Sequence, residues 1–202
     1  MSLSRGITMR ISSLRAAVVL AAAGFLNPSL PSVNAGGQNE GGTTVTLDSL
    51  KSRTPADWVE ETPTSRLRFK QFRLPAVGDD KENAQLLIFY FGPGAGGSVD
   101  ENIKRWKKMF IPPEGKTIDD VAKVEKLKIG KVDYTYFDAH GTYLAKSRPN
   151  LPDSEATPYP NYRMLAGVFQ TRDGPYYMRL VGPADTVKHY KPGFDQWLKA
   201  FK

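Results

Sequence analysis

Gly92, Gly94 and Gly97 fall at the spacing G-x-G-x-x-G, after an apolar run and before an amphipathic stretch. In outline this is a dinucleotide fingerprint, in which glycines let backbone approach a pyrophosphate at a helix N-terminus. Pro93 stiffens the turn, and Asp100 and Glu101 place negative charge where a phosphate requires positive potential. No second parallel strand ending in an acid follows, and Asp119 and Asp120 sit in a polar turn. The expectation is a tight loop with no cofactor. Asp138 and His140 stand two apart on an expected strand and so share a face. A metal needs a third ligand, and none is spaced for it, so the expectation is a hydrogen-bonded pair. Gly96-Gly97-Ser98-Val99-Asp100 lacks the last glycine of a nucleophile elbow, and Ser98 is better placed as a helix cap. The sequence therefore assigns no catalytic residue and no metal ligand.

Two further groups could bind rather than react. Lys104, Arg105, Lys107 and Lys108 form a basic helix face opposite Val99, Ile103 and Trp106. A solvated face explains it, with Glu101 and Arg105 as i,i+4 partners. Residues 141–163 form the longest stretch without regular pattern, and carry Pro149, Pro152, Pro158 and Pro160. Loops this long are functional or disordered. Tyr143, Arg148, Tyr159 and Tyr162 are its expected binding contacts, the alternative being that the loop packs onto the sheet.

The elements that must position these groups centre on residues 85–110. Leu86, Leu87, Ile88, Phe89, Tyr90 and Phe91 are apolar without alternation, so the strand needs cover on both faces. The glycine loop ends it. Ser98, with Glu101 three residues on, opens a helix through a capping box. Val99, Ile103, Trp106 and Phe110 define its apolar face. Upstream, Trp58 is expected in the core and residues 66–74 as a strand. Leu67 and Phe69 take one parity and Phe72 and Leu74 the other, which suggests a bulge or cover on both sides. The short connection to 85–91 favours antiparallel pairing. Residues 117–122 read as one helical turn, and 124–129 and 132–139 as strands around Gly130-Lys131. Residues 164–171 and 176–182 form a second hairpin around Arg172-Asp173-Gly174-Pro175. Val187, Tyr190, Phe194, Trp197, Leu198 and Phe201 mark a closing helix that Pro192-Gly193 should break or kink.

The chain has 202 residues, formal charge +7 and no cysteine. Arg5, Arg10 and Arg15 precede an apolar run at 16–26, and Val33-Asn34-Ala35 fits a small-residue cleavage site, so residues 1–35 read as an export signal. A retained anchor is the competing reading, but the run is short of the roughly 20 residues a span needs. Removing those three arginines takes the charge from +7 to +4, too mild to argue for nucleic acid. Residues 36–56 read as a flexible leader in which 45–50 add a short edge element, and 57–202 as one domain. Without cysteine, an exported chain has no disulfide and no thiol chemistry.

The C-terminal part carries Gly141-Thr142-Tyr143, a Pro-rich loop, Tyr162-Arg163-Met164-Leu165, Asp173-Gly174-Pro175-Tyr176, Gly182-Pro183 and an amphipathic tail. With Trp58, Arg66-Leu67-Arg68 and Asn102-Ile103-Lys104-Arg105-Trp106, this resembles a group of uncharacterised exported bacterial proteins. Their fold is similar to that of PsbP, the extrinsic photosystem subunit, and of the Ran-binding Mog-type factors. The resemblance implies an α+β fold, a mostly antiparallel sheet with helices on both faces, an α/β/α sandwich. It implies no activity. The expectation is an exported, periplasmic or extracellular, monomeric and non-catalytic domain. It would bind an envelope or extracellular protein or a ligand, without nucleic acid and without a stable membrane span after cleavage. An envelope hydrolase using Asp138 and His140, or a small-ligand carrier with a cavity beside 85–91, are the alternatives. The intact mass of the protein recovered from the envelope is expected to match residues 36–202; a mass retaining 1–35 would mean the tract is kept as an anchor.

Overall fold

Apolar runs between glycine- and proline-marked turns make this chain a set of antiparallel strands with helices inserted between them. The computed structural model describes residues 41–146 and 154–202. The expected signal, residues 36–40 of the leader, and Arg148 lie outside the described residues. In order the elements are β1 (Thr44–Leu47), β2 (Leu50–Arg53), β3 (Val59–Glu61), β4 (Arg68–Leu74), β5 (Ala84–Tyr90), α1 (Val99–Lys107) and β6 (Phe110–Ile111). There follow α2 (Ile118–Val121), β7 (Ala122–Ile129), β8 (Val132–Lys146), β9 (Ala156–Thr171), β10 (Gly174–Pro183) and α3 (Ala184–Lys199). The main sheet runs β3-β4-β5-β10-β9-β8-β6, and β7 also pairs with β8. Every pairing is antiparallel. No helix among the described residues is long and apolar enough to cross a membrane.

The apolar side chains fall into two clusters. Leu86, Ile88, Leu165, Phe169, Met178 and Leu180 belong to the first, with Val187, Tyr190, Phe194, Trp197 and Leu198 of α3. Met164, Ala166, Val168, Phe137 and Tyr177 belong to the second, with Ile103 and Trp106 of α1. Neighbouring residues of β9 thus feed different clusters, as the two-residue strand period requires. Trp58 is buried in the first. The parity switch in β4 is a register irregularity between Arg68 and Lys70. α1 opens with the full Ser98–Glu101 capping box.

Four expectations are corrected. Residues 44–53 are not a free leader: β1 and β2 pair, Val45 and Leu47 are fully buried, and Ser52 Oγ donates to the Trp197 carbonyl at 2.8 Å. Phe110 follows the helix instead of ending it, and reaches the second cluster from β6. Pro192 lies inside α3 without ending it. A proline costs about 3 kcal/mol in a helix interior, less than several large side chains at roughly 1.5–3 kcal/mol each. Residues 141–146 and 156–163 of the expected loop are strand, because β8 runs on to Lys146 and β9 starts at Ala156; residues 147–153 lie outside the described residues. β10 reaches only as far as the pair Pro183–Tyr162, so Pro158 and Pro160 occupy an edge where a missing N–H costs no ladder bond. A register irregularity between Gly141 and Tyr143, with Asn161 at φ 55°, absorbs the mismatch.

Gly167 sits in the middle of β9 beneath Tyr134, and a Cβ there would lie 1.9 Å from the Tyr134 hydroxyl. That hydroxyl is buried without a hydrogen-bond partner among the described residues. Gly167→Ala is expected to destabilise the protein by about 2–3 kcal/mol through overpacking. Tyr134→Phe, which removes an unsatisfied buried group, should change stability by under about 1 kcal/mol. Urea unfolding of both variants checks the pair.

Candidate functional site

Side chains of β4, β5 and β10 on the α1 side of the sheet meet the glycine loop and α1 around a cleft of about 900 Å³. Its floor is sheet. Arg68 on β4 pairs with Phe89 on β5, and Phe89 pairs with Tyr177 on β10. Arg179, two residues along β10, holds its guanidinium 5.0 Å from the Phe89 ring centre and donates to Met109 Sδ at 3.7 Å. Trp106 and Arg105 come from α1, and Leu67 and Phe91 stand at the rim, 53% and 40% exposed.

The glycine loop forms one wall, and its backbone shape is fixed from within. Gly96 has φ 89°, and a Cβ on it would lie 2.6 Å from the Tyr177 ring. Tyr177 Oη donates to the carbonyls of Gly97 at 2.8 Å and Ala95 at 3.3 Å. Asn102, buried in α1, donates through Nδ2 to the Gly96 and Ser98 carbonyls at 2.9 Å each. Its Oδ1 accepts from Arg105 at 3.0 Å. Glu101 does not bond Arg105. Its carboxylate accepts from Ser98 N at 2.8 Å and from Ser98 Oγ at 2.9 Å. Those two bonds hold the Glu101 pKa below the usual carboxylate range. The helix N-terminus is therefore capped by the protein's own carboxylate, and the loop carbonyls already have donors.

The electrostatics of the cleft are one-sided. Among the described residues, Arg68, Arg105, Lys146 and Arg179 line it, against the single carboxylate of Glu101. Arg68 donates to Thr64 Oγ1 at 2.7 Å and Gln71 Oε1 at 2.6 Å, both neutral. Burial lowers the Arg179 pKa, and the charges of Arg68 and Arg105 push the same way. An arginine nonetheless stays protonated in a protein.

The residues expected from sequence lie elsewhere. Tyr143, Tyr159 and Tyr162 are half-buried on the β8–β9 hairpin. Tyr143 and Tyr162 stack at 6.2 Å and 7°, Tyr159 packs on Tyr162 at 5.1 Å, and Phe110 packs on Tyr143 at 5.5 Å. Tyr162 also bonds the Glu82 carboxylate. They form a ladder on the sheet, each with part of its surface still open. Asp138 is held by Arg163 through two bonds of 2.8 and 2.7 Å, which raise the Arg163 pKa. His140 is exposed, and neither it nor Asp138 lines the cleft. Among the described residues no three His, Asp or Glu side chains gather as a metal site. A smaller hollow beside α3 is spanned by Lys191, which donates to Asp195 at 2.6 Å and to Tyr136 Oη at 2.9 Å. Tyr136 donates to Asp195 at 3.1 Å, and burial raises its pKa well above the ordinary value, so this network staples α3 to β8.

No family model matches the chain, and no curated protein matches it in sequence. Two solved structures are similar to it in fold. The solution structure of cyanobacterial PsbP (CyanoP) from Synechocystis sp. PCC 6803 is 14% identical with a TM-score of 0.47, covering 87% of this chain and 99% of that one. The crystal structure of the protein of unknown function PA94 from Pseudomonas aeruginosa is 12% identical with a TM-score of 0.43, covering 78% and 93%.

Asn102→Ala should cost about 1–3 kcal/mol, because it leaves buried carbonyls without donors. Urea unfolding measures the loss, and the amide signals of Gly96 and Gly97 should move with it.

Proposed function

We propose that this chain is an exported, non-catalytic binding domain on an α/β/α frame of the PsbP-like kind, with the cleft beside α1 as its ligand site. One observation carries the reading. A cleft of about 900 Å³, within the roughly 300–1,000 Å³ usual for small-molecule sites, is walled by rings and holds, among the described residues, one carboxylate, already spent as a helix cap. A hydrolase needs a group able to take a proton beside its substrate. Glu101 is tied to Ser98, and Asp138 is tied to Arg163 outside the cleft. Binding is the use left to such a site. The cleft takes the place of the Pro-rich segment as the contact region, since Tyr143, Tyr159 and Tyr162 pack on one another. Export is supported by the basic residues and apolar run of the first 35 positions.

The three tryptophans make a direct test. Trp106 lines the cleft, while Trp58 and Trp197 belong to the other cluster. A panel of neutral, cationic and anionic alkyl and aryl compounds is titrated into nitrogen-15-labelled protein. At least one class should shift the indole N–H signal of Trp106 and leave those of Trp58 and Trp197 in place. A panel that moves none of the three, or all three together, counts against the cleft as a ligand site.

A further inference from the structure

We infer that the cleft takes an oxyanion, a carboxylate or a phosphate, carried on an apolar body, and that Arg179 anchors the charged head. The inference rests on reading the cleft as the ligand site and specifies what that site selects. Arg68, Arg105 and Arg179 line it, and none has a carboxylate within salt-bridge distance among the described residues. Other cations of this protein are matched with acids. Arg73 meets Glu61 at 3.0 Å, Arg163 meets Asp138 at 2.7 Å, Lys107 meets Asp119 at 2.5 Å and Lys191 meets Asp195 at 2.6 Å. Among the described residues the cleft is lined by one acid, Glu101, and its carboxylate is bonded to Ser98 at the start of α1.

Arg179 is the sharpest case. Its guanidinium rests on the Phe89 ring and, among the described residues, reaches only the weak sulfur acceptor of Met109. Contact with a ring orients a guanidinium and leaves its in-plane N–H donors directed outward. Those donors form the fork that matches a carboxylate or phosphate edge on. Arg68 and Arg105 add like charge from two other elements. Three like charges beside the one carboxylate of Glu101 leave a net repulsion among the described residues, and a bound oxyanion removes it.

The apolar part of the ligand follows from the rim. Leu67 and Phe91 are 53% and 40% exposed, and both line the same cleft as Phe89 and Trp106. A small inorganic anion would leave these surfaces in water. An alkyl or aryl body would cover them, at roughly 25 cal/mol for each Å² removed from solvent.

Octyl phosphate, octanoate, uncharged octyl glucoside and inorganic phosphate are titrated into the full chain, with the Trp106 indole signal and calorimetry as readouts. Octyl phosphate, octanoate or both should bind, while octyl glucoside and inorganic phosphate bind at least about tenfold more weakly. The phosphate and carboxylate arms identify the preferred head. Arg179→Gln should weaken the charged amphiphile about tenfold or more, as expected for loss of a charge-assisted pair. Arg105→Gln, at an exposed position, should weaken it a few-fold and lower the unfolding midpoint only slightly, through loss of its bond to Asn102 Oδ1. Should Arg179→Gln fail to fold, the Arg105 variant and the comparison with octyl glucoside still decide the matter. Octyl glucoside binding as tightly as octyl phosphate, with both variants indifferent, overturns the oxyanion inference and leaves the cleft a ligand site. Inorganic phosphate binding as tightly as octyl phosphate overturns the apolar body. Sedimentation with vesicles of mixed zwitterionic and anionic phospholipid, unreleased by octyl phosphate, overturns a free ligand in favour of a bilayer. Silence of Trp106 towards both charged amphiphiles overturns this inference, and silence across the wider panel overturns the binding site as well.

Discussion

Met164, Leu165, Ala166, Gly167, Val168 and Phe169 are all buried, so the middle of β9 has no face turned to water. Its backbone groups must then be satisfied within the sheet, and β8 and β10 flank it in continuous register to do so. Its side chains must be covered on both sides, which divides the core into two clusters. That requirement reaches outward through the neighbours. Gly167 is small because Tyr134 crosses over it from β8. The α3 stripe from Val187 to Leu198 packs in one cluster, and Ile103 and Trp106 of α1 pack in the other. Pro192 within α3 is tolerated for the same reason, since breaking the helix would uncover the first cluster.

The sequence shows most clearly those features written over a few neighbouring residues. The capping box of Ser98 and Glu101, the hairpin turns at Gly130 and Asp173, and the parity switch in β4 are all local patterns, and the structure contains each of them. The β8–β9 hairpin is different. Prolines at 158 and 160 signal a loop unless it is known that their side of the strand faces no partner, and that depends on where β10 stops. β1 and β2 are obscured in the same way, because their anchorage comes from Trp197 and Lys202 at the far end of the chain. The run 86–91 is read as buried throughout. Leu86, Leu87 and Ile88 are, but Tyr90 is half-buried and Phe91 is exposed. The apolar surplus at the end of that strand belongs to the wall of the cleft.

The cleft itself is invisible in sequence because its charged groups lie far apart along the chain. Arg68, Arg105 and Arg179 come from β4, α1 and β10, and no spacing rule joins them. Arg105 even has a satisfying local explanation as one cation on a solvated helix face. What separates it from Lys107 is tertiary: Lys107 finds Asp119, whereas Arg105 is turned to Asn102. A signal for Asn102 was nonetheless present. An asparagine among the apolar positions of a short helix, just after a glycine-rich loop, is well placed to hold loop carbonyls.

Lengths explain why an open site exists on this sheet. A helix of nine residues, as α1 is, spans about 13 Å. Seven strands, the order from β3 to β6, span roughly 29 Å at about 4.8 Å apart. α1 shares its cluster with Phe137 and Ala139 of β8 and Met164 of β9, a cluster to which β5 adds only the half-buried Phe89 and β4 adds nothing. α3, with sixteen residues, spans about 24 Å. The short helix therefore leaves part of the sheet bare, and a purely structural solution would fill that area with apolar side chains. Instead Arg179 projects from β10, an interior strand whose position is fixed by β5 on one side and β9 on the other. A long charged side chain on a rigid interior strand keeps little freedom, so its guanidinium is already oriented before any ligand arrives. That pre-organisation is a cost to the empty fold, and the oxyanion site proposed above would recover it on binding.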